Sequence, residues 1–216
     1  MNQLAVIFDM DGVIVDNADF HYLAWKQTCD QYGIFLSEEQ YQNELNGRTM
    51  ADTLAVLFSR KFSLAEEKAF SQTKEALYRE LYSPHIQPVP GLLSFLTSLQ
   101  AAGVPLAVAT SAPPDNVSFT LDGTGTRDYF SSIIDASMVT HGKPHPEVYT
   151  RSGQALGTPA ENCWVFEDAI QGVKAGKAAG MHVCGISTTH SADKLHEADK
   201  IIANFQGLKA ETLISW

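Results

Sequence analysis

Leu4-Ala5-Val6-Ile7-Phe8-Asp9-Met10-Asp11-Gly12-Val13-Ile14-Val15-Asp16 is the stretch on which the reading of this chain turns. Residues 4–8 form an unbroken apolar run, the pattern of a strand buried on both faces of a parallel sheet. The run stops at one aspartate, and a second follows two residues later, just ahead of a glycine where the chain turns. In open α/β sheets, ligands bind at the carboxyl ends of the strands. Two carboxylates placed there can hold a hard divalent cation, and one can serve as nucleophile beside an acid/base neighbour. A solvated turn is the plainer reading, since Asp and Gly are ordinary turn residues. A helix-loop-helix calcium loop is excluded. It needs glycine at its sixth position and glutamate at its twelfth, whereas from Asp9 the glycine comes fourth and Phe20 stands twelfth.

Three further features follow in order. Pro105-Leu106-Ala107-Val108-Ala109 ends in Thr110-Ser111-Ala112, Lys143 lies in Gly142-Lys143-Pro144-His145-Pro146, and Cys163-Trp164-Val165-Phe166 ends in Glu167-Asp168. Three apolar strands thus end in acid, hydroxyl and acid groups, with a proline-flanked lysine between the last two. This set, in this order, resembles the haloacid dehalogenase-like superfamily over essentially the whole chain, because Asp9-x-Asp11-Gly12, Thr110, Lys143 and Glu167-Asp168 match its four motifs.

The resemblance implies a role for each residue. Asp9 would attack phosphorus and form an aspartyl-phosphate, with Asp11 as general acid and base. If the chain stays extended, its period of two points these side chains alike. Thr110 would donate its hydroxyl to a phosphate oxygen, with amides of the following loop, and Lys143 would set a cation beside Asp9. Magnesium would take the Asp9 side chain, the Asp11 carbonyl and the Asp168 side chain, with Glu167 acting through a metal-bound water. Plainer readings exist for each: helix-capping acids for Glu167-Asp168, a locally satisfied strand-end Thr110, a solvated Lys143. The complete ordered set favours the site.

Between the first strand and the rest, the pattern changes from apolar runs to helical periodicity. Ala18–Tyr32 reads as a helix stopped at Gly33. Ser37-Glu38-Glu39-Gln40 and Ser63-Leu64-Ala65-Glu66 have the capping-box pattern, the second opening a long helix toward Tyr82. Asn46-Gly47 is a turn signal, and Thr49 is a cap candidate for a helix through Phe58. Pro84, Pro88 and Pro90-Gly91 then break the pattern. Beyond them helix and strand alternate: helices over 92–101, 117–121, 146–156 and 170–179, strands over 105–109, 133–135, 163–166 and 182–186, an edge strand over 200–203 and a helix from Leu208. Alternation of this kind specifies an α/β fold with a parallel, Rossmann-like sheet covered by helices on both faces. The expected domains are therefore a core of 1–16 and 87–216 and an inserted α-helical cap of 17–86. Hinges near Asp16–Ala18 and Pro84–Pro88 would let the cap open and close.

The 216 residues carry a net charge of −10. Such a surface disfavours nucleic acid and anionic membranes as partners and repels a phosphorylated substrate, so a phosphate site must gather its own positive charge. No apolar run approaches the ~18 residues of a membrane span, and the N-terminus enters a strand without a basic leader. Cys163 and Cys184 sit in apolar runs as packed thiols, and Cys29 stands far from both. A reducing cytoplasm is the expected compartment, and the resemblance makes a monomer the expected state.

Within the family, Asp16-Asn17-Ala18-Asp19-Phe20-His21-x-x-Ala24-Trp25 resembles the β-phosphoglucomutase-like branch of sugar-phosphate mutases and phosphatases. There the counterpart of His21 lies near the hinge. Two details depart from the mutase. Its Ser-Lys-Asn after the second motif, which holds a second phosphate, is Ala112-Pro113-Pro114 here, and its cap arginine is replaced by Met50, with Arg48 directly after Gly47. The expectation is a magnesium-dependent phosphatase for a small phosphorylated metabolite such as a sugar phosphate. A phosphosugar isomerase and an inorganic pyrophosphatase are the alternatives. His21, Arg48, Lys74, Ser111, Ala112 and Asn116 are the candidates for substrate binding. Arg48 and Lys74 read equally as solvated charges, and Asn116 as a helix start. His141 and His145 are four apart, but Gly142 and Pro144 between them argue against a helical ligand pair, and no Cys/His spacing resembles a zinc site.

Overall fold

A computed structural model describes residues 4–45 and 50–216. Asn46-Gly47, Arg48 and Thr49 lie outside the described residues, so the turn, recognition and cap expectations placed on them are not addressed by it. The chain forms two compact units, one running to Asp16 and resuming at Ile86, the other spanning Asn17–His85. Ile86 groups with the first unit rather than with the insertion, and its side chain fills the space over Gly123.

The first unit is built on six parallel strands: β1 (Ala5–Phe8), β2 (Leu106–Ala109), β3 (Ser132–Ile134), β4 (Cys163–Glu167), β5 (His182–Ile186) and β6 (Lys200–Ile202). Their spatial order is β3-β2-β1-β4-β5-β6. The winding reverses between β1 and β4, and such a switch point opens a crevice at the carboxyl edge. Phe8 pairs in register with Val108 on one side and Phe166 on the other. Both motif-bearing acid strands thus end side by side at the switch point.

Period two sorts the side chains of β1 between the faces. Ala5 and Ile7 join Ala107, Ala109, Cys163, Val165 and Val183 in one apolar layer with Val148, Tyr149 and Val173. Phe8 turns the other way, stacking on Phe166 with ring centroids 5.2 Å apart and meeting Phe95 and Phe205. Continuing the alternation, Asp9 follows Ile7 and Glu167 follows Val165, so both acids emerge on the same face. Helices α7 (Glu147–Ala155) and α8 (Ile170–Ala178) contribute Val148, Tyr149 and Val173 to the layer on that face.

The second unit contains α1 (Ala18–Gln31), a three-residue α2 (Glu38–Gln40), α3 (Met50–Phe58) and α4 (Leu64–Tyr82). Its core gathers Trp25, Cys29, Leu36, Tyr41, Leu54 and Phe70. Ser63 and Glu66 close the capping box expected of them. Ser37 caps only Gln40 N, and the chain continues from there as a π-helical turn, Tyr41–Leu45, instead of a regular helix. The chain leaves and re-enters the first unit at neighbouring points, because Val15 bridges Pro88 and Val89 N donates to Ile14 O. The first unit also contains α5 (Leu92–Ala101), α6 (Pro114–Gly123) and α9 (Ala210–Ser215). Helix α6 begins three residues before the apolar periodicity announces it, because Pro114 at its first position is already set for helical φ.

Candidate active site

Asp9 is the first residue past β1, and its N–H donates to Phe166 O, which extends the β1–β4 ladder by one step and fixes the position of its side chain. Lys143 Nζ reaches across to it, 2.6 Å from Asp9 Oδ1, and lies equally close to Glu167 Oε1 at 2.5 Å. The Ala109 carbonyl at the end of β2 accepts a third, longer bond from the same ammonium. One cation therefore ties together the carboxyl ends of β1, β2 and β4. Asp168 completes the group: oxygens of Asp9, Glu167 and Asp168 lie within 4.8 Å of one another.

Glu167 is wholly buried and its acceptor positions are taken. Oε1 receives Lys143 and the Tyr149 hydroxyl (2.6 Å), while Oε2 receives the backbone N–H groups of Asp168 and Ala169. The carboxylate is thus a clamp on Lys143 and on the start of the loop before α8, and it stays within reach of the other two acids. Gly172 makes the clamp possible, since a Cβ there would lie 1.8 Å from Glu167 Oε1.

Three carboxylates face one ammonium. Burial pushes Asp9 up to about 7, with Glu167 and Asp11 adding repulsion and Lys143 opposing it. Burial also raises Asp168 well above the usual carboxylate range, with Glu167 and Asp9 adding to it and a hydrogen bond from Thr189 opposing it. Burial alone would lower Lys143, but Asp9 and Glu167 more than offset that and hold it firmly protonated. Tyr149 is raised by burial and by Glu167, so its hydroxyl stays a donor. The excess negative charge and the all-oxygen donor set suit a hard divalent cation such as magnesium.

The turn after β1 is shaped by Gly12, whose φ is +77°. The chain bends at Met10, whose carbonyl accepts from Ile14 N, so Asp9 and Asp11 are not on one extended segment as the period-two expectation has it. Asp11 nonetheless acts on Asp9 electrostatically. A Cβ at Gly12 would lie 2.0 Å from Asp168 Oδ2. Gly12→Ala is therefore expected to displace Asp168 and lower turnover by about a hundredfold or more, the scale of a ~1 Å misplacement. Steady-state rates on any accepted substrate measure this, and wild-type kcat in that variant would refute the close-packing argument.

Thr110 is buried at the end of β2, and its Oγ1 accepts from Ala112 N at 3.0 Å, leaving the hydroxyl hydrogen free to be directed elsewhere. The Ala112 amide is thus engaged with Thr110, and Ser111 is exposed. Asn116 is buried in the first turns of α6. His21 and Lys74 come together inside the helical unit. Lys74 is buried there, its ammonium 2.9 Å from Glu75 Oε1 and 3.1 Å from His21 Nδ1, which corrects its reading as a solvated charge. His21 stacks on Tyr78 at 4.0 Å, and Asn17 donates to the Tyr78 hydroxyl.

Three site residues escape the sequence reading. Tyr149 carried no signal beyond its helix. Thr188 donates to Gly12 O at 2.5 Å and Thr189 bonds Asp168, so the loop after β5 joins the first motif to the fourth. The rule that singled out Thr110, a hydroxyl at a strand end, would have found this pair.

A buried aspartate at the end of a parallel strand, bound by a lysine and flanked by acids at the switch point, makes a candidate site at the place where ligands bind in α/β sheets. Residues 6–186 match the haloacid dehalogenase-like hydrolase family, and the chain belongs to that family. It is 31% identical to validoxylamine A 7'-phosphate phosphatase of Streptomyces hygroscopicus subsp. limoneus, covering 91% of each chain. It is 29% identical to the β-phosphoglucomutase of Bacillus subtilis, covering 97% of this chain and 93% of that one. A haloacid dehalogenase-type hydrolase of Entamoeba histolytica, family IA variant 3, superposes with a TM-score of 0.92 at 26% identity, covering 100% of this chain and 98% of that one. No helix among the described residues is long and apolar enough to cross a membrane.

Proposed function

We propose that this protein is a magnesium-dependent phosphatase for a small phosphorylated metabolite of the sugar-phosphate class, working through an aspartyl-phosphate on Asp9. The observation that carries the reading is the Lys143 clamp. It holds a buried carboxylate ionisable and oriented at the one place in the sheet where ligands bind. Asp9 attacks phosphorus, and the bond to the leaving alkoxide breaks as Asp11 gives it a proton. Asp11 then removes a proton from water, which attacks the same phosphorus and frees Asp9. Thr110 and Lys143 hold the phosphoryl oxygens in both steps, while Glu167 and Tyr149 position Lys143. Magnesium, held by Asp9, Asp168 and the Asp11 carbonyl, would offset the repulsion between two anions and polarise the phosphoryl group. The helical unit is proposed to be the substrate-selecting cap, with His21 and Lys74 acting as a pair. The compartment is proposed to be a reducing cytoplasm and the working form a monomer.

Hydrolysis is favoured over isomerisation by the start of α6. A helix N-terminus offers free N–H groups to an anion, but Pro113 and Pro114 supply none there and Asp115 adds a negative charge in the first turn. A mutase must bind a second phosphate, and the start of α6 is poorly furnished for one. The relatives include both a named phosphatase and a named mutase, so the test is direct. Phosphate release from sugar phosphates, nucleotides and pyrophosphate is measured with and without magnesium. Glucose 6-phosphate formation from β-glucose 1-phosphate with a bisphosphate primer is followed in parallel. Magnesium-dependent release without isomerisation is expected. Isomerisation with little release would overturn the proposal.

The raised Asp9 gives a second check. Its folded-state value of about 7 lies above the ordinary 3.8. Its contribution to stability is therefore present below the ordinary value and is lost as pH rises through the folded one. A cation binding the ionised carboxylate opposes that loss. The Tm gain from magnesium is expected to be larger at about pH 8 than at about pH 5. Equal gains by scanning fluorimetry would count against the cation sitting at Asp9.

A further inference from the structure

A second cluster of metal-ligating groups lies on the loop that delivers Lys143. His141 and His145, set aside as a helical pair, are brought together by the turn between them, their ring centroids 4.5 Å apart and 32° from parallel. Glu147 closes the group: its Oε2 is 3.2 Å from His141 Nδ1, and its backbone N–H donates to His145 Nδ1 (N···N 3.3 Å), which leaves that ring's Nε2 for an ion. A nitrogen of each ring and a Glu147 oxygen all fall within 4.8 Å of one another. Both imidazoles are exposed, so an ion can reach them.

The carboxylate is held in place by its surroundings. The amides of Thr140 and His141 donate to it, and Arg151 pairs with its Oε1 at 2.8 Å. Those donors fix its orientation at the cost of competing for its lone pairs. Two imidazoles and one carboxylate form a donor set unlike that of the active site. Hard oxygen ligands suit magnesium, whereas imidazole suits zinc, nickel and copper. We propose that His141, His145 and Glu147 form a surface site for a borderline divalent transition metal, with zinc as its natural occupant. Three protein ligands leave further positions to water, the open form of zinc site. Lys143 lies midway between the two histidines, so an ion here braces the segment that carries the catalytic ammonium.

The untagged full chain is titrated with zinc by calorimetry in excess magnesium, which occupies the acidic centre. His141→Ala, His145→Ala and Asp168→Asn are titrated alongside, with circular dichroism as the check on folding. One zinc per chain is expected for the native protein and for Asp168→Asn. The two histidine variants should bind about tenfold more weakly or worse, at least the loss that an outer-shell partner's removal brings. Histidine ring signals in NMR should shift for His141 and His145 and stay for His182 and His196. The proposal fails if zinc binding is undiminished in both histidine variants, if it is lost in Asp168→Asn, or if no zinc binds. These readouts do not depend on the phosphatase reading.

Discussion

Asp9→Asn is expected to abolish turnover, by about 10⁴-fold or more, the scale seen when a nucleophile that works as part of a unit is removed. An amide keeps the shape of the side chain but cannot attack phosphorus. Folding should survive, because the change removes one of three anions crowded around Lys143. Without a cation the variant is expected to melt at or above the native temperature, since Asp9 is ionised at neutral pH only against burial and against Glu167. Single-turnover phosphate release and a melting curve test the two halves separately. Residual turnover within tenfold of native would dismiss Asp9 as nucleophile. A large fall in Tm would show that its charge is needed for folding.

Glu167→Ala should give the largest loss of stability, about 3–5 kcal/mol, the range for breaking a buried pair from one side. Four donors converge on this carboxylate: Lys143, Tyr149 and two backbone N–H groups. Truncation orphans the last three and leaves Lys143 with Asp9 and the Ala109 carbonyl. Glu167→Gln tests the same point more gently, because an amide can still accept two of those bonds but cannot neutralise the ammonium. The order native, Gln, Ala in denaturant midpoint is expected. Activity should fall with it, because Lys143 would no longer be held against Asp9. If Glu167→Ala unfolds at the native midpoint, the clamp contributes nothing to the fold, and Glu167 would have to be read as a metal-side residue.

Much of the site was legible along the chain. Apolar runs ending in Asp9, Thr110 and Glu167-Asp168 announce parallel strands with chemistry at their carboxyl ends, while the strand order that places β1 beside β4 came from the fold. What was not legible is equally specific. Lys74 reads as a substrate-binding candidate or equally as a solvated charge, because sequence cannot show that His21 and Glu75 surround it. His141 and His145 read as unrelated because neither helical nor Cys/His zinc spacing joins them, and a turn can bring two side chains together without obeying either. Thr188 and Thr189 matter through contacts to Gly12 and Asp168, which lie far away in the chain.

By itself the sequence determined the α/β class, the inserted helical segment and the identity of the acids at the strand ends. Those follow from periodicity and turn chemistry, which neighbouring residues set among themselves. Only the tertiary structure decided which groups meet. Lys143 stands 134 residues from the aspartate it clamps, and Tyr149 and Glu167 join them through helix packing. Such meetings depend on strand register and on how closely α7 and α8 approach the sheet. Steric fit across the whole core sets those distances, down to the absence of a Cβ at Gly172.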